Sequence, residues 1–286
     1  MERDPKLYEV LRRASLFLEE NNREPKVAEL LLQHYLDVNR TTFLAMMHDP
    51  VPEAVLQCFR HAVTTHAETG VPLEHLTGCA PFYGRYFDVS EHTLIPRPET
   101  EELTQLAIQT ASEGPLTIAD IGTGSGNIAI TLALELPDAI VYATDMSAEA
   151  LAVARQNAAQ LGANVTFLQG DYVQPLIDRD IHVDMLITNP PYIPLHEKTL
   201  LSDTVRDFEP EEALFAGHDG LAAYKAIVEQ LPEAVKPNGY VLFEIGHQQG
   251  NAVQSLVKST FPQRDVTIIQ DINGKDRIVK AGPIID

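Results

Sequence analysis

Tryptophan is absent from this sequence, and cysteine and basic side chains are scarce. The 286 residues include two cysteines, and 21 lysines and arginines stand against 41 aspartates and glutamates, giving a formal net charge of −20. Such a field repels phosphate backbones, so we expect no direct nucleic-acid binding and favour a basic protein or a small molecule as partner. Cys58 and Cys79 have neither metal-type spacing nor a disulfide framework, which indicates free thiols in a reducing cytosol.

Long hydrophobic runs and metal-binding motifs are missing as well. The N-terminal stretch MERDPKLYEVLRR is charged where a signal peptide has an apolar core, and no apolar run reaches the length of a membrane span. We therefore expect a cytoplasmic protein without a membrane partner. The ten histidines are scattered and no His-Glu-x-x-His motif is present, so no metal site is predicted.

What is present is the composition of a globular protein, with 44% hydrophobic and 22% charged residues. Apolar residues at helical spacing predict a small helical bundle over residues 1–75, in which Val27, Leu30, Leu31 and Tyr35 are interpreted as core. Residues 76–98 mix aromatics, glycines and prolines, which predicts a hairpin or an extended linker.

In residues 99–286, apolar runs alternate with helical patterns. The runs are Leu116–Ile121, Ala139–Thr144, Val165–Leu168, Val183–Thr188 and Tyr240–Ile245. This alternation predicts an α/β domain with a mostly parallel, doubly wound sheet. At the end of the chain, two apolar runs flank an Asn-Gly turn, which predicts a hairpin and hence an antiparallel C-terminal strand.

A glycine-rich loop follows the first predicted strand of this domain. In Gly122-Thr123-Gly124-Ser125-Gly126 the glycines allow a sharp turn and a close approach of a ligand to the backbone. Asp145, nineteen residues past Gly126, ends the second run, where a carboxylate can accept both hydroxyls of a ribose. The alternative interpretation is a tight turn that binds no ligand.

The identity of a ligand at this loop depends on its spacing. The dinucleotide fingerprint requires a third glycine where this chain has Asn127, and no Gly-Lys-Ser/Thr follows. The Gly-x-Gly-x-Gly spacing resembles the loop of S-adenosylmethionine-dependent methyltransferases of the Rossmann-like class. Asp171 and Tyr172, after the third run, are candidates to hydrogen-bond and stack an adenine, although an aspartate turn that ends a strand is an equal alternative.

The fourth run ends in Asn189-Pro190-Pro191-Tyr192, where two backbone N–H donors are lost in succession. The side-chain oxygen of Asn189 and the carbonyl of Pro190 can accept the two hydrogens of a planar NH2 group, and Tyr192 can stack on it. Two acceptors on one NH2 group aim its nitrogen at an electrophilic methyl group. A plain strand terminator or a proline-rich ligand segment is the alternative interpretation.

With both motifs in hand, the chain resembles the protein-(glutamine-N5) methyltransferases of peptide chain release factors, the PrmC/HemK family. Further similar stretches are Leu94–Thr100, Glu209-Pro210, Asp219–Leu221, Phe243–Gly246 and Asn273–Val279. The resemblance covers nearly the whole chain, and the combination of Leu94–Thr100 with the N-terminal bundle makes it specific.

The resemblance implies S-adenosylmethionine as cofactor, bound at residues 122–126, Asp145, Asp171, Tyr172 and Asn189. Many family members have tryptophan where this chain has Tyr172, and the ring is kept. The implied methyl acceptor is the glutamine of the release factor's Gly-Gly-Gln motif, gripped by Asn189 to Tyr192, with the bundle binding the release factor. We expect a monomer. The alternatives are an adenine-N6 methyltransferase acting on DNA or RNA, a nicotinamide-dependent oxidoreductase, and a ligand-free interaction module.

Overall fold

A computed structural model describes residues 5–111 and 116–284. The chain divides into two compact units, one extending to Gly78 and including Ser202–Phe208, the other formed by Cys79–Leu201 and the residues from Glu209 onward. Residues 1–4, 112–115, 285 and 286, which belong to the predicted domains 1–75 and 99–286, lie outside the described part.

The first unit consists of helices. They are α1 (Leu7–Glu20), α2 (Lys26–Leu36), α3 (Arg40–Ala45), α4 (Glu53–Thr69), α5 (Leu73–Thr77) and α10 (Asp203–Arg206). Of the core residues predicted in α2, Val27 and Leu31 are buried and Tyr35 is partly buried, whereas Leu30 is 39% exposed. Ala28 and Leu32, which were not predicted, are fully buried. Arg23 forms an ion pair with Asp203 at 2.7 Å, which lowers the pKa of that carboxyl to about 2 through the hydrogen bond from the guanidinium.

The second unit contains a hairpin and a seven-stranded sheet. The hairpin is β1 (Cys79–Phe82) and β2 (Arg85–Asp88), and the sheet strands are β3 (Thr117–Ile121), β4 (Ile140–Asp145), β5 (Val165–Gln169), β6 (Val183–Thr188), β7 (Val235–Glu244), β8 (Arg264–Gln270) and β9 (Asp276–Ile284). The strand order is β5-β4-β3-β6-β7-β9-β8, and only β9 runs antiparallel to its neighbours. The prediction of a mostly parallel α/β sheet with an antiparallel C-terminal strand is confirmed.

Helices cover both faces of this sheet. They are α6 (Pro98–Thr110), α7 (Asn127–Glu135), α8 (Ala148–Leu161), α9 (Gln174–Ile177), α11 (Glu211–Leu214), α12 (Ala222–Ala234) and α13 (Gly250–Thr260). One core packs α9, α12 and α13 on the sheet. The other packs α6, α7 and the hairpin residues Phe82 and Phe87 against the opposite face. Strands buried on both faces explain why the sheet runs are continuously apolar.

The order of the strands reverses between β3 and β6, which creates a switch point at their carboxyl ends. Ile121, the last residue of β3, pairs with Thr144 of β4 on one side and with Thr188 of β6 on the other. Ligands bind at such points in open parallel sheets, because the loops that follow adjacent strands diverge there. No helix in the described residues is long and apolar enough to cross a membrane.

Candidate active site

The glycine-rich loop joins β3 to α7 at the switch point. Gly122, Gly124 and Gly126 have φ angles of 70°, 55° and 81°, a region that favours glycine. A Cβ atom at Gly122 or Gly124 would meet no atom within 4 Å, whereas one at Gly126 would lie 2.8 Å from Ile130 Cδ1. The first two glycines therefore leave open space beside the loop, and Gly126 permits close helix packing.

Asp145, at the end of β4, is hydrogen-bonded to the glycine-rich loop. Its Oδ2 accepts a hydrogen bond from the Gly124 N–H at 2.9 Å, and its Oδ1 accepts one from the Ser147 N–H at 2.9 Å. Burial raises the pKa of Asp145, and the N–H donors of Ser147 and Gly124 oppose that rise. The nearby Glu212 carboxylate adds to it and gives this end of the site a negative potential suited to a cationic ligand.

A second carboxyl, which the sequence analysis missed, lies beneath the loop. Asp120 is fully buried in β3, and its Oδ2 accepts hydrogen bonds from Thr123 Oγ1 at 2.6 Å and from the Ala129 N–H at 3.2 Å. Burial raises the pKa of Asp120 to about 7. A carboxylate inside an otherwise apolar run was the sequence signal for it.

Asp171 and Tyr172 follow β5 and face the same region. The Tyr172 carbonyl accepts a hydrogen bond from Thr144 Oγ1 at 2.7 Å, and Tyr172 has a φ of 45°. The Gly170 N–H donates to the Asp145 carbonyl at 3.0 Å, which ties this segment to the end of β4.

Asn189 follows β6 and is held by its side-chain nitrogen. Nδ2 donates to Thr100 Oγ1 at 3.1 Å, and Thr100 Oγ1 donates to Glu244 Oε2 at 2.7 Å. Burial raises the pKa of Glu244 to about 7, against the effects of the Thr100 hydrogen bond and the Arg277 charge. With Nδ2 bound to Thr100, the side-chain oxygen is the part of the carboxamide that remains for a ligand.

Tyr192 is partly buried, and its side chain packs against the sheet core. Its carbonyl accepts a hydrogen bond from Gln249 Nε2 at 2.9 Å, and its ring packs against the sheet core next to Gly246. Burial and the Glu244 carboxylate raise the pKa of Tyr192 to about 12, so the phenol stays protonated at neutral pH.

One cleft contains most of the predicted site. Its lining includes Gly122, Thr123, Gly124, Ser125, Asp145, Asp171, Tyr172, Asn189, Pro190 and Pro191. Gly126 and Tyr192 are not part of the lining, because the first supports helix packing and the second is turned toward the core.

The remaining wall comes from residues that the sequence analysis did not assign to the site individually. His92, Thr93, Arg97 and Thr100 line the cleft from the segment before α6 and from its first turn. Arg97 forms an ion pair at 2.5 Å with the buried carboxylate of Glu209, which stiffens this wall. The stretch Leu94–Thr100 was the sequence signal for this wall, and the sequence analysis used it only as part of the family resemblance. In the described residues, no group of three or more His, Cys, Asp and Glu side chains is arranged to hold a metal ion.

Two family models match parts of the chain. Residues 9–78 match the family described as PrmC N-terminal domain, and residues 99–207 match the family described as Methyltransferase small domain. Among solved structures, the hMettl16 catalytic domain in complex with MAT2A 3′UTR hairpin 6 has a TM-score of 0.51 at 16% identity over 82% of this chain and 83% of that one. At that identity the likeness shows a common fold alone.

Two curated relatives are far more similar in sequence. The release factor glutamine methyltransferase of Bacillus subtilis is 44% identical over 280 residues, which are 96% of this chain and 97% of that protein. The protein of the same name from Staphylococcus aureus is 46% identical over 252 residues, 88% of this chain and 90% of that protein. These relatives span nearly the whole sequence, and the chain therefore belongs to the release factor glutamine methyltransferase family.

Proposed function

We propose that this protein transfers the methyl group of S-adenosylmethionine to the side-chain N5 of the glutamine in the Gly-Gly-Gln motif of peptide chain release factors. The observation that carries this proposal is the orientation of Asn189. Its amide nitrogen is bound to Thr100, so its oxygen is left to accept a hydrogen from a planar NH2 group beside the glycine-rich loop.

The residues along the cleft fit the cofactor. Gly122 and Gly124 leave room for its methionine part, and the Asp145 carboxylate serves its ribose hydroxyls. Asp171 and Tyr172 are placed to hydrogen-bond and stack on the adenine. When bound, the cofactor supplies a methyl group on a sulfonium, already a strong electrophile.

The acceptor nitrogen needs positioning more than deprotonation, because its lone pair is delocalised into its carbonyl. Asn189 Oδ1 and the Pro190 carbonyl accept its two hydrogens, since a prolyl residue offers an acceptor and no donor. This fixes the nitrogen in line with the methyl–sulfur axis, and such alignment is worth several orders of magnitude in rate. Held there by Asn189 and Pro190, the nitrogen would receive the methyl group with S-adenosylhomocysteine as the leaving group, and its extra proton would pass to water.

Tyr192 shapes the rear of this acceptor site. Its partly buried ring packs beside Gly246 against the sheet core, and we infer that it limits the access of water behind Asn189. The N-terminal bundle is proposed to grip the release factor. A monomer without direct nucleic-acid binding remains our prediction, in keeping with the net charge of −20.

The decisive experiment follows label from methyl-labelled S-adenosylmethionine into a purified release factor and maps the modified residue by mass spectrometry. We expect label on the Gly-Gly-Gln glutamine and none on a release factor in which that glutamine is alanine. Parallel reactions contain duplex DNA and rRNA. Label on nucleic acid alone would instead make the protein an adenine-N6 methyltransferase, since adenine presents the same planar NH2 group.

Cofactor identity has its own test by calorimetry. S-adenosylhomocysteine is expected to bind and NAD is not. Binding of NAD without S-adenosylhomocysteine would indicate an oxidoreductase, and binding of neither would indicate an interaction module.

A further inference from the structure

A buried chain of hydrogen bonds connects Asn189 to two residues far away in sequence. Asn189 Nδ2 donates to Thr100 Oγ1 at 3.1 Å, and that hydroxyl donates to Glu244 Oε2 at 2.7 Å. Thr100 and Glu244 are 2% and 1% exposed. The chain crosses from the loop after β6 to the first turn of α6 and to the end of β7.

These two hydrogen bonds determine which end of the Asn189 carboxamide faces the cleft. The Thr100 hydroxyl has one proton, and an ionised Glu244 can only accept it. The Thr100 oxygen is then an acceptor, so it binds the NH2 end of Asn189. If Thr100 instead donated to Asn189, the carboxamide would be inverted and would present NH2 to an incoming NH2 group, with no acceptor for it.

We propose that Thr100 and Glu244 are positioning residues that hold the Asn189 carboxamide with its oxygen toward the methyl acceptor. This inference rests on the proposed role of Asn189 in binding the acceptor NH2 group. Neither residue needs to touch the substrate for this effect. Glu244 acts through Thr100, and Thr100 acts through Asn189.

The surroundings of Glu244 make this arrangement sensitive to pH. The groups that face it are Arg277 of β9, Glu99 of α6, Arg97 before α6, Tyr192 and Tyr224. Tyr224 Oη donates to the Glu244 backbone carbonyl at 2.8 Å, which fixes the end of β7. Burial places the pKa of Glu244 at about 7, within the range where the enzyme can be assayed.

Protonation of Glu244 reverses the donor and acceptor roles along these two hydrogen bonds. A neutral carboxyl can donate its proton to Thr100 Oγ1, which frees the Thr100 proton for Asn189 Oδ1 and favours the inverted carboxamide. We therefore expect kcat to fall as the pH decreases through about 7. A variant that lacks the carboxyl should lose this acid limb.

Two variants test the Thr100 link. Thr100→Val keeps the shape and removes the hydroxyl, so kcat should fall by about 10- to 100-fold, because the acceptor amide is misaligned. The KM for release factor and the Kd for S-adenosylhomocysteine should change by less than about threefold, because uniform binding contacts are retained. Thr100→Ser restores the hydroxyl and should recover most of the lost kcat.

Thr104→Val is the matched control on the same helix. Thr104 is fully buried, and its hydroxyl donates to the Thr100 carbonyl at 3.0 Å without contacting Asn189. Thr104→Val removes one buried hydroxyl, as Thr100→Val does, and should leave kcat unchanged. Circular dichroism and thermal melts of all variants verify that they fold.

The pH profile of kcat for Glu244→Gln tests the second link. We expect the acid limb near pH 7 in the unmodified protein and its loss in Glu244→Gln and Thr100→Val. A folded Thr100→Val variant with undiminished kcat, or an acid limb unchanged in Glu244→Gln, would overturn the inference. Undiminished turnover in Asn189→Ala would instead refute the proposed role of Asn189, so the two failures are distinguishable.

Discussion

Replacing Asp120 by asparagine should make the free energy of unfolding fall less as the pH rises. Asp120 is fully buried beneath the glycine-rich loop, and its Oδ2 accepts hydrogen bonds from Thr123 and Ala129. Oδ1 is buried without a hydrogen-bond partner in the described part of the chain. An asparagine oxygen can keep both acceptor contacts, while the side chain no longer ionises.

The expected magnitude follows from the pKa of Asp120 in the two states. Burial raises it from 3.8 to about 7 on folding. A raised carboxyl pKa means that the folded state holds its proton more tightly, so the stability it contributes is complete below pH 3.8 and is lost as the pH rises through about 7. A difference of about three pH units corresponds to roughly 4 kcal/mol in total, of which about 2–3 kcal/mol falls between pH 5 and pH 8.

Urea denaturation followed by circular dichroism at several pH values measures this effect, since the protein has no tryptophan for fluorescence. The free energy of unfolding of Asp120→Asn minus that of the unmodified protein should rise by about 2–3 kcal/mol from pH 5 to pH 8. Asp138→Asn, at an exposed position of the same unit, controls for the loss of one negative charge. A difference for Asp120→Asn that stays constant with pH, or that falls, would refute the reasoning.

The remaining predictions concern the acceptor motif and the glycine-rich loop. Asn189→Ala should lower kcat by about 10²–10³ while S-adenosylhomocysteine still binds by calorimetry, because a preorganised acceptor is lost. Tyr192→Ala should reduce kcat less, because Tyr192 packs behind the cleft and supplies no acceptor to the NH2 group, and the opposite ranking would contradict this role. Gly126→Ala should destabilise by about 2–4 kcal/mol in urea titrations, because strain adds to overpacking. That substitution combines a φ of 81° with a Cβ that would lie 2.8 Å from Ile130. Gly124→Ala, with open space at its Cβ, should destabilise less but weaken S-adenosylhomocysteine binding, and equal stability losses would argue against this packing.

Strand positions were largely predictable because a buried parallel strand is a local apolar run. The predicted Val183–Thr188 coincides with β6. The runs predicted for β3 and β5 differ from the strands by one residue at one end, and the run predicted for β4 differs by one residue at each end. The largest difference is β7, which begins at Val235 and not at Tyr240. Its first half is polar, and Lys236 binds Asp184 at the start of β6, a contact that no run of apolar letters reveals.

Helix faces were less predictable. The period of 3.6 residues marked α2 as amphipathic, but it did not tell which edge of the stripe meets the core. Ala28 is buried and Leu30 is exposed, since the packing partners of α2 select the face and alanine is too small to stand out in a hydrophobic pattern.

From the sequence we could predict the alternation of strands and helices, the glycine-rich loop, Asp145 and the Asn189 motif, because each is a local pattern along the chain. Only the tertiary structure brought Thr100 and Glu244 to Asn189, since 144 residues separate the first two. It likewise turned Tyr192 toward the core and placed Gly126 in a helix contact. Such contacts depend on strand order and on which faces pack together, and these are set by long-range burial.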